Sequence, residues 1–186
     1  MEALIETERL RLRALDNGDA DRIAELVGDY EVAKMLAQAP YPYGREDALR
    51  FLARARDRAA DGSALVCAID HKGLIGVIGV SEIQTIEGER IGTLGYWMGR
   101  PYWGRGYATE AARALVGHAF GALGFAGLKS GHFKENGRSG RVLAKVGFRY
   151  AGEGPKHCLA RSAEAPHIDV VLTRGQWQDF AARQAA

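Results

Sequence analysis

The sequence predicts a single-domain α/β fold of the α+β kind, in which helices flank one mixed, mostly antiparallel sheet. Three strand-like segments follow one another in the middle of the chain, separated by short turns, as in an antiparallel meander. Helical periodicity replaces this pattern after a glycine-containing turn and then alternates with further strands. The length of 186 residues, without repeats or linkers, predicts one domain over residues 1–186.

The first third of the chain predicts one strand and two helices. Arginines alternate with Leu10 and Leu12 over residues 9–13, which is the period of a strand with one buried face. Asp19 is the predicted N-cap of the first helix, and residues 45–60 form the second. The predicted inward positions are Ile23, Leu26, Val27 and Tyr30 in the first helix and Ala48, Phe51, Leu52 and Ala55 in the second. The arginines of the second helix predict a solvated face rather than a nucleic-acid site.

Strands and helices alternate over the remainder of the chain. A turn at residues 71–73 and a polar loop through Gly88 separate the strands of the meander. A helix follows, because apolar residues recur at helical spacing from Ala112 to Leu123 and stop before Gly124. The predicted strands are 64–70, 74–83, 91–98, 128–134, 148–152 and 168–172, and a short helix is predicted over 139–145.

Charge and composition argue against several classes of function. The formal net charge is +2 and no run of like charges occurs, so nucleic-acid binding is not predicted. Cys67 and Cys158 have no metal-ligand spacing, which predicts neither a metal site nor a disulfide framework. The longest uncharged stretch, 114–128, is too short to span a membrane, and the acidic start from Met1 to Thr7 does not fit a secretory signal. We therefore expect a cytoplasmic protein that binds neither nucleic acid nor membrane.

The turn before the helix at Ala112 has the pattern of an anion site. It is Gly-x-Gly-x-Ala over residues 104–108, between a strand and a helix. Gly104 and Gly106 permit unusual backbone conformations and close approach of a ligand, and first-turn amides point outward with the helix dipole behind them. Such a cradle suits a pyrophosphate. The same glycines could serve only a tight turn, and neither a dinucleotide-binding G-x-G-x-x-G nor a P-loop pattern is present.

Three segments together resemble the GNAT superfamily of acetyl-CoA-dependent N-acetyltransferases. They are IETERLRLR near the start, GYWMGRPYWGRGYATEA around the glycine turn, and NGRSGRVLAKVGF further along. The chain is most similar to the branch that includes ribosomal-protein alanine N-acetyltransferases, and the resemblance extends from Ile5 to about Trp177. It implies acetyl-CoA as cosubstrate, no metal, and a central parallel strand pair that splays apart around the acetyl group.

The resemblance also implies which residues hold the coenzyme. The phosphate loop of the family maps onto residues 103–108, where Trp103 replaces the usual glutamine or arginine. Backbone groups of residues 97–99 would pair with the pantetheine arm, and Asn136 would help to hold it. Thr109 would either cap the helix or bind a phosphate. The full predicted set is Trp97, Met98, Gly99, Trp103, Gly104, Arg105, Gly106, Tyr107, Ala108, Thr109 and Asn136.

The resemblance assigns the acid that assists the leaving thiolate to Ser139. Many relatives place a tyrosine in this role, but Leu143 stands at that position, and the ribosomal-protein branch uses a serine instead. Ser139 has an alternative role as a helix N-cap. A backbone N–H near Met98 on the splayed strand would meet the developing oxyanion.

The general base is harder to assign from the sequence. Many relatives carry a glutamate on the strand before the loop, where this chain has Thr93. Glu82 on the neighbouring strand is the first substitute, and His132 and Glu135 come next. The alternatives are that Glu82 is a solvated carboxylate and His132 a hydrogen-bonded histidine of the sheet.

The lack of an evident base bears on the acceptor. A protein α-amine has a pKa of ~7.7–8.0 and is partly neutral at pH 7, whereas a lysine amine at ~10.4 is almost wholly protonated. The predicted acceptor is therefore a protein N-terminus or a small α-amino compound, in a pocket built by the first two helices and the loop Gln84–Arg90. A non-catalytic acyl-CoA sensor is the alternative function, and the chain could act as a monomer or a homodimer.

Overall fold

The computed structural model describes residues 3–185, and its centre is one eight-stranded sheet. The strands are β1 Ala3–Glu6, β2 Arg11–Ala14, β3 Leu65–Asp70, β4 Leu74–Ile86, β5 Glu89–Met98, β6 Phe125–Phe133, β7 Arg149–Cys158 and β8 Ala163–Thr173. The helices are α1 Ala20–Val27, α2 Tyr30–Ala33, α3 Arg45–Ala60, α4 Tyr107–Gly121, α5 Gly137–Val146 and α6 Arg174–Ala185. The domain predicted over 1–186 includes residues 1, 2 and 186, which lie outside the described residues.

The sheet is mixed and mostly antiparallel, as the sequence predicted. Its strand order is β1-β2-β3-β4-β5-β6-β8-β7, and β5–β6 is the parallel pair. Parallel pairing extends only from Arg90 opposite Phe125 to Thr93 opposite Lys129. Beyond these residues β5 stays paired with β4, and β6 stays paired with β8. The predicted splayed pair is therefore confirmed, and a split opens between the last halves of the two strands.

Helices cover both faces of the sheet. On one face α4 and α5 pack against buried residues such as Phe125 and Leu128, and α4 is buried on most of its surface. On the other face α1 and α3 place Ile23 and Leu52 against Val77 of β4. Burying each of these large side chains stabilises the fold by ~1.5–3 kcal/mol. Among residues 3–185, no helix combines the length and apolar character needed to cross a bilayer.

Most predicted elements are present, but several boundaries differ. Helix α3 has the predicted bounds, and the meander of β3, β4 and β5 is confirmed. The β4–β5 hairpin is longer than predicted, because strand pairing continues to Ile86 opposite Glu89 and leaves only a tight turn at residues 87–88. The last two strands are also longer than predicted. Neither β1 nor α6 was predicted.

Asp19 is the N-cap residue of α1 as predicted, but its carboxylate makes no capping bond to that helix, and the expectation for Tyr30 is wrong. The carboxylate accepts the backbone N–H of Asp16 at 3.0 Å, within the capping box of a short 3-10 helix at Asn17–Asp19, and hydrogen bonds from both terminal nitrogens of Arg13 at 2.9 and 2.8 Å. Arg13 also donates to Asp70 of β3 at 2.8 Å, and these hydrogen bonds, above all that to Asp19, raise the pKa of Arg13. A nearly buried carboxylate gains more from this pairing than from a cap. Tyr30 begins the separate helix α2 and is exposed rather than inward-facing.

Candidate active site

An open cavity of about 1200 Å³ lies where β5 and β6 diverge. Helices α1 and α3, which were predicted to border an acceptor pocket, do line it. The segment Gln84–Arg90 does not line it, because these residues extend the β4–β5 hairpin, and residues 35–40 form part of the wall instead. Arg50, Arg54 and Arg58 of α3 are exposed, as predicted, and also border the cavity.

Three hydrogen bonds identify the direction of the backbone groups at the end of β5. Ser130 Oγ donates to the Leu94 carbonyl at 2.9 Å, Trp103 Nε1 donates to the Met98 carbonyl at 2.8 Å, and the Gly99 N–H donates to the Ile75 carbonyl at 2.9 Å. The first two bonds lie on the side of the split, and the third lies on the side of β4. The N–H and C=O of one residue leave an extended strand on the same side, and successive residues alternate.

The backbone groups that face the split therefore belong to Tyr96 and Met98. Trp97 and Gly99, which were predicted to pair with the pantetheine arm together with Met98, direct theirs toward β4. Because Trp103 occupies the Met98 carbonyl, the open donors at this point are the N–H groups of Tyr96 and Met98. An extended amide-containing chain in the split can pair with such donors, and so can an oxyanion.

The glycine turn has the geometry of an anion cradle. Gly104 and Gly106 have φ values of +75° and +82°, in the left-handed region that favours glycine. A Cβ at Gly104 would meet nothing within 4 Å, so this loop leaves open space in front of its backbone. Gly106 is the N-cap of α4, and a helix that begins in this way leaves its first N–H groups without internal partners.

The side chains of the loop point in different directions. The ring of Trp103 lies 5.0 Å from the guanidinium carbon of Arg138 at the start of α5, and Ala108 lines the cavity. Tyr107 is buried and therefore contributes only backbone to an anion site. In the part of the chain that the structure describes, no side chain caps α4, so the capping role considered for Thr109 is wrong.

The turn between β1 and β2 holds the glycine loop from outside. Thr7 Oγ1 donates to Glu110 of α4 at 2.7 Å, and the backbone N–H and Nε of Arg9 donate to the same carboxylate at 2.9 and 2.7 Å. Arg9 Nη1 also donates to the carbonyl of Arg105 at 3.1 Å. Burial pushes the pKa of Glu110 upward, but the bonds from Thr7 and Arg9 outweigh it and lower the pKa. The IETERLRLR segment thus supports the loop, a contact that sequence reasoning missed.

Ser139 lies at the cavity but does not cap a helix. The cap of α5 is Asn136, whose Oδ1 accepts the Ser139 N–H at 3.2 Å, so the capping alternative for Ser139 is wrong. The Ser139 hydroxyl lies 2.8 Å from the hydroxyl of Tyr96, whose oxygen also lies within hydrogen-bond distance of the Ser139 carbonyl, at 3.1 Å. Burial raises the pKa of Tyr96 to about 12. Tyr96 was not singled out from the sequence, whereas Leu143 is buried in the core, away from any such role.

Glu82 is next to the position where many relatives carry a glutamate. It lies at a bulge of β4 with a φ of +53°, and its Oε2 accepts the hydroxyl of Thr93 at 2.8 Å. Both residues line the cavity. The bulge places the carboxylate of Glu82 beside Thr93.

The other candidate bases are more constrained. Glu135 forms an ion pair with Arg161. His132 Nδ1 lies 2.8 Å from the Phe133 carbonyl, as expected for a hydrogen-bonded histidine of the sheet, although its ring still borders the cavity. A second imidazole at the cavity, His167, was not predicted, and burial lowers its pKa.

A protein-family model described as an acetyltransferase (GNAT) domain matches residues 9–149. The chain belongs to the GNAT acetyltransferase family. The identification made from the sequence motifs is confirmed, and with it the prediction of an acetyl-CoA-dependent N-acetyltransferase.

Similar proteins cover most of this GNAT chain. The uncharacterized N-acetyltransferase p20 of Bacillus licheniformis is 31% identical over 78% of this chain and 82% of its own. The [ribosomal protein uS5]-alanine N-acetyltransferase of Escherichia coli is 25% identical over 93% and 92% of the two chains. Mycobacterium smegmatis RimJ, solved in complex with a CoA-disulfide, shares the fold with a TM-score of 0.80 at 21% identity, covering 94% of this chain and 89% of its own. The predicted likeness to ribosomal-protein acetyltransferases is confirmed.

The residues of this GNAT chain fit acetyl-CoA as donor. The two left-handed glycines and the uncapped start of α4 suit the diphosphate, whose negative charge the outward N–H groups stabilise. The split between β5 and β6 presents open backbone donors to the amide-containing arm. Ser139 and Glu82 both line the same cavity.

Proposed function

We propose that this GNAT protein acts as a single domain over residues 1–186 and acetylates a primary α-amine, either a protein N-terminus or a small α-amino compound. The observation that carries the proposal is the split between β5 and β6, with open donors on one strand and an uncapped helix beyond it. Relatives that modify ribosomal-protein alanine support an α-amine. We further propose a cytoplasmic monomer or homodimer that binds neither nucleic acid nor membrane.

Each part of the cavity has a role in this proposal. Acetyl-CoA supplies the thioester, and the backbone of residues 103–108 together with Thr109 and Asn136 holds its phosphates and arm. The N–H of Met98 faces the carbonyl oxygen as it gains charge. Glu82, held by Thr93, accepts the proton that the attacking amine loses.

Ser139 assists the sulfur as the carbon–sulfur bond breaks. Replacing Ser139 with alanine should lower kcat by about 10²-fold, the lower end of the range for acid–base catalysis, and leave coenzyme affinity within about twofold. Thiol release measures the first quantity and calorimetry with coenzyme A the second. Ser63→Ala, at a half-buried serine between α3 and β3, is the control and should change neither. An unchanged kcat in Ser139→Ala contradicts the role.

Glu82→Gln should lower kcat/KM at neutral pH by about 10²-fold, because the amide cannot accept a proton but still accepts the Thr93 hydroxyl. The difference in kcat/KM between Glu82→Gln and the wild type should shrink as the pH rises through ~8, where most of the α-amine is neutral without a general base. The measurement is a pH profile of kcat/KM. Glu87→Gln is a matched control, since Glu87 has a φ of +52° against +53° for Glu82 and lies in the hairpin turn. A parallel pH profile in both variants would remove Glu82 from the mechanism.

The choice of acceptor is tested with paired peptides. A peptide with a free N-terminal alanine and no lysine should be acetylated, whereas the N-terminally blocked peptide with one internal lysine should react at least about 10²-fold more slowly, since far less of its amine is neutral. Mass spectrometry locates the acetyl group. Acetylation confined to the lysine contradicts the proposal. Turnover of any amine contradicts the alternative of a non-catalytic acyl-CoA sensor.

A further inference from the structure

The hydroxyls of Tyr96 and Ser139 bridge the open part of the split. Tyr96 projects from β5, and Ser139 lies in the first turn of α5, 43 residues further along. The two oxygens are 2.8 Å apart, and the Ser139 carbonyl lies 3.1 Å from the Tyr96 oxygen, so the one hydroxyl hydrogen of Tyr96 has two acceptors within reach. Among residues 3–185 neither hydroxyl has another protein partner, and both residues line the cavity. The pair is therefore a contact between two side chains that face the same space.

The pair restricts where the hydroxyl hydrogen of Ser139 can point. A serine hydroxyl rotates freely and carries one hydrogen and two acceptor sites. When the one hydroxyl hydrogen of Tyr96 goes to Ser139 Oγ, the shorter contact, rather than to the carbonyl, the hydrogen of Ser139 must turn away from Tyr96. Ser139 lines the cavity, so its hydrogen can then point into that space.

We propose that Tyr96 is a positioning residue for the leaving-group step, and that it holds the Ser139 hydroxyl so that its hydrogen faces the departing sulfur. This inference rests on the proposed function and deepens it. The bond between carbon and sulfur breaks with its electron pair moving to sulfur, while Ser139 stabilises the charge by hydrogen bonding. Glu82 takes the proton that the attacking amine loses, and the departing thiolate takes its proton from solvent, which the open cavity admits. Tyr96 keeps its own proton, since burial raises its pKa to about 12.

The ionisation of the bound coenzyme thiol tests the inference without an acceptor. Coenzyme A is the probe, and the ultraviolet absorbance of its thiolate is followed against pH in the complex. The wild-type complex should ionise at a lower pH than a free thiol of pKa ~8.5. Tyr96→Phe keeps the ring but removes the hydroxyl donor. It should lower the acid ionisation constant of the bound coenzyme thiol about tenfold, as for the loss of one hydrogen bond. Tyr150→Phe, at a tyrosine that is 66% exposed, is the control and should change nothing.

Turnover of the alanyl peptide gives the second measurement. Tyr96→Phe should lower kcat about tenfold with KM for acetyl-CoA unchanged, and should add nothing to the loss in Ser139→Ala. An unchanged ionisation constant in Tyr96→Phe overturns the inference. A further tenfold loss of kcat when Tyr96→Phe is combined with Ser139→Ala also overturns it. The same holds if Tyr96→Phe lowers coenzyme affinity and thermal stability together, which is the result expected of a purely structural contact. A wild-type chain that does not bind coenzyme A contradicts the proposed function instead.

Discussion

A glutamate in place of Gly106 should reduce coenzyme A affinity more than about 10²-fold and leave the chain folded, because it puts a negative charge at the start of α4, where we propose that the diphosphate binds. Gly106 has a φ of +82°, and a Cβ there would lie 3.4 Å from Arg9 Nη2, within the contact that holds the loop. A residue other than glycine in this conformation costs ~1–2 kcal/mol. That loss is small beside a domain stability of ~5–15 kcal/mol. Calorimetry with coenzyme A measures the affinity.

Gly88→Glu separates the charge at the site from backbone strain. Gly88 also has a φ of +82°, and a Cβ there would meet nothing within 4 Å in the β4–β5 turn. This variant should lose similar stability but bind coenzyme A as the wild type does. Equal affinities in both variants would show that the diphosphate is held elsewhere.

Replacing Arg13 with leucine should lower the free energy of unfolding by ~3–5 kcal/mol, the usual result of removing one partner from a buried ion pair. Arg13 is 11% exposed at its side chain and bridges Asp19, at 9%, to Asp70 on another strand. Without it, two carboxylates remain almost buried beside each other. Urea unfolding followed by circular dichroism measures the loss.

Arg45→Leu is the control for the loss of an arginine from an ion pair. Arg45 pairs with Asp21 at 2.7 Å, but their side chains are 58% and 78% exposed, so the expected loss is at most ~1 kcal/mol. Comparable losses in the two variants would contradict the argument from burial.

The ion pairs of Arg13 with Asp19 and Asp70 should also make the stability of the wild-type protein depend on pH in the acid range. Burial pushes the pKa of Asp70 upward, but the bonds from Arg13 and Gly73 outweigh it and lower the pKa. A lowered pKa stabilises the fold fully above the unfolded value of ~3.9, and the contribution is lost as the pH falls below that value. Arg13→Leu should therefore be less sensitive than the wild type to this acid range.

Local patterns predicted most of the fold. The spacing of Ala48 and Leu52 predicts α3 at its observed bounds, because one helix face packs against one sheet face. The meander and the helix after Gly106 are likewise encoded within a few residues of where they form. The splayed strand pair came from family resemblance, since no local pattern distinguishes parallel strands that separate from those that do not.

Elements that depend on distant partners were missed. Helix α6 has weak amphipathic patterning, and it is held by contacts such as Trp177 against Phe120, with ring centroids 5.4 Å apart. Asp19 is the N-cap of α1 but makes no side-chain cap to it, because its carboxylate bonds Arg13, which is itself held by Asp70, 57 residues beyond Arg13. Propensity describes a residue and its neighbours, whereas such pairings are fixed by tertiary packing.

The candidate site shows the same division. The glycine loop could be read from consecutive residues, and the bulge at Glu82 lies close in sequence to Thr93. The contact of Tyr96 with Ser139 could not be predicted, because it depends on the packing of α5 beside β5. Arg9 likewise meets Glu110 across 101 residues, so only its place in a recognised motif signalled a role.

The distance in sequence between Arg9 and Glu110 has a consequence for synthesis. The hydrogen bonds from Thr7 and Arg9 to Glu110 join two segments that are about a hundred residues apart. A growing polypeptide must therefore release the residues up to Glu110 from the ribosome before these bonds can form. We expect the glycine loop to gain this support only after α4 has been synthesised.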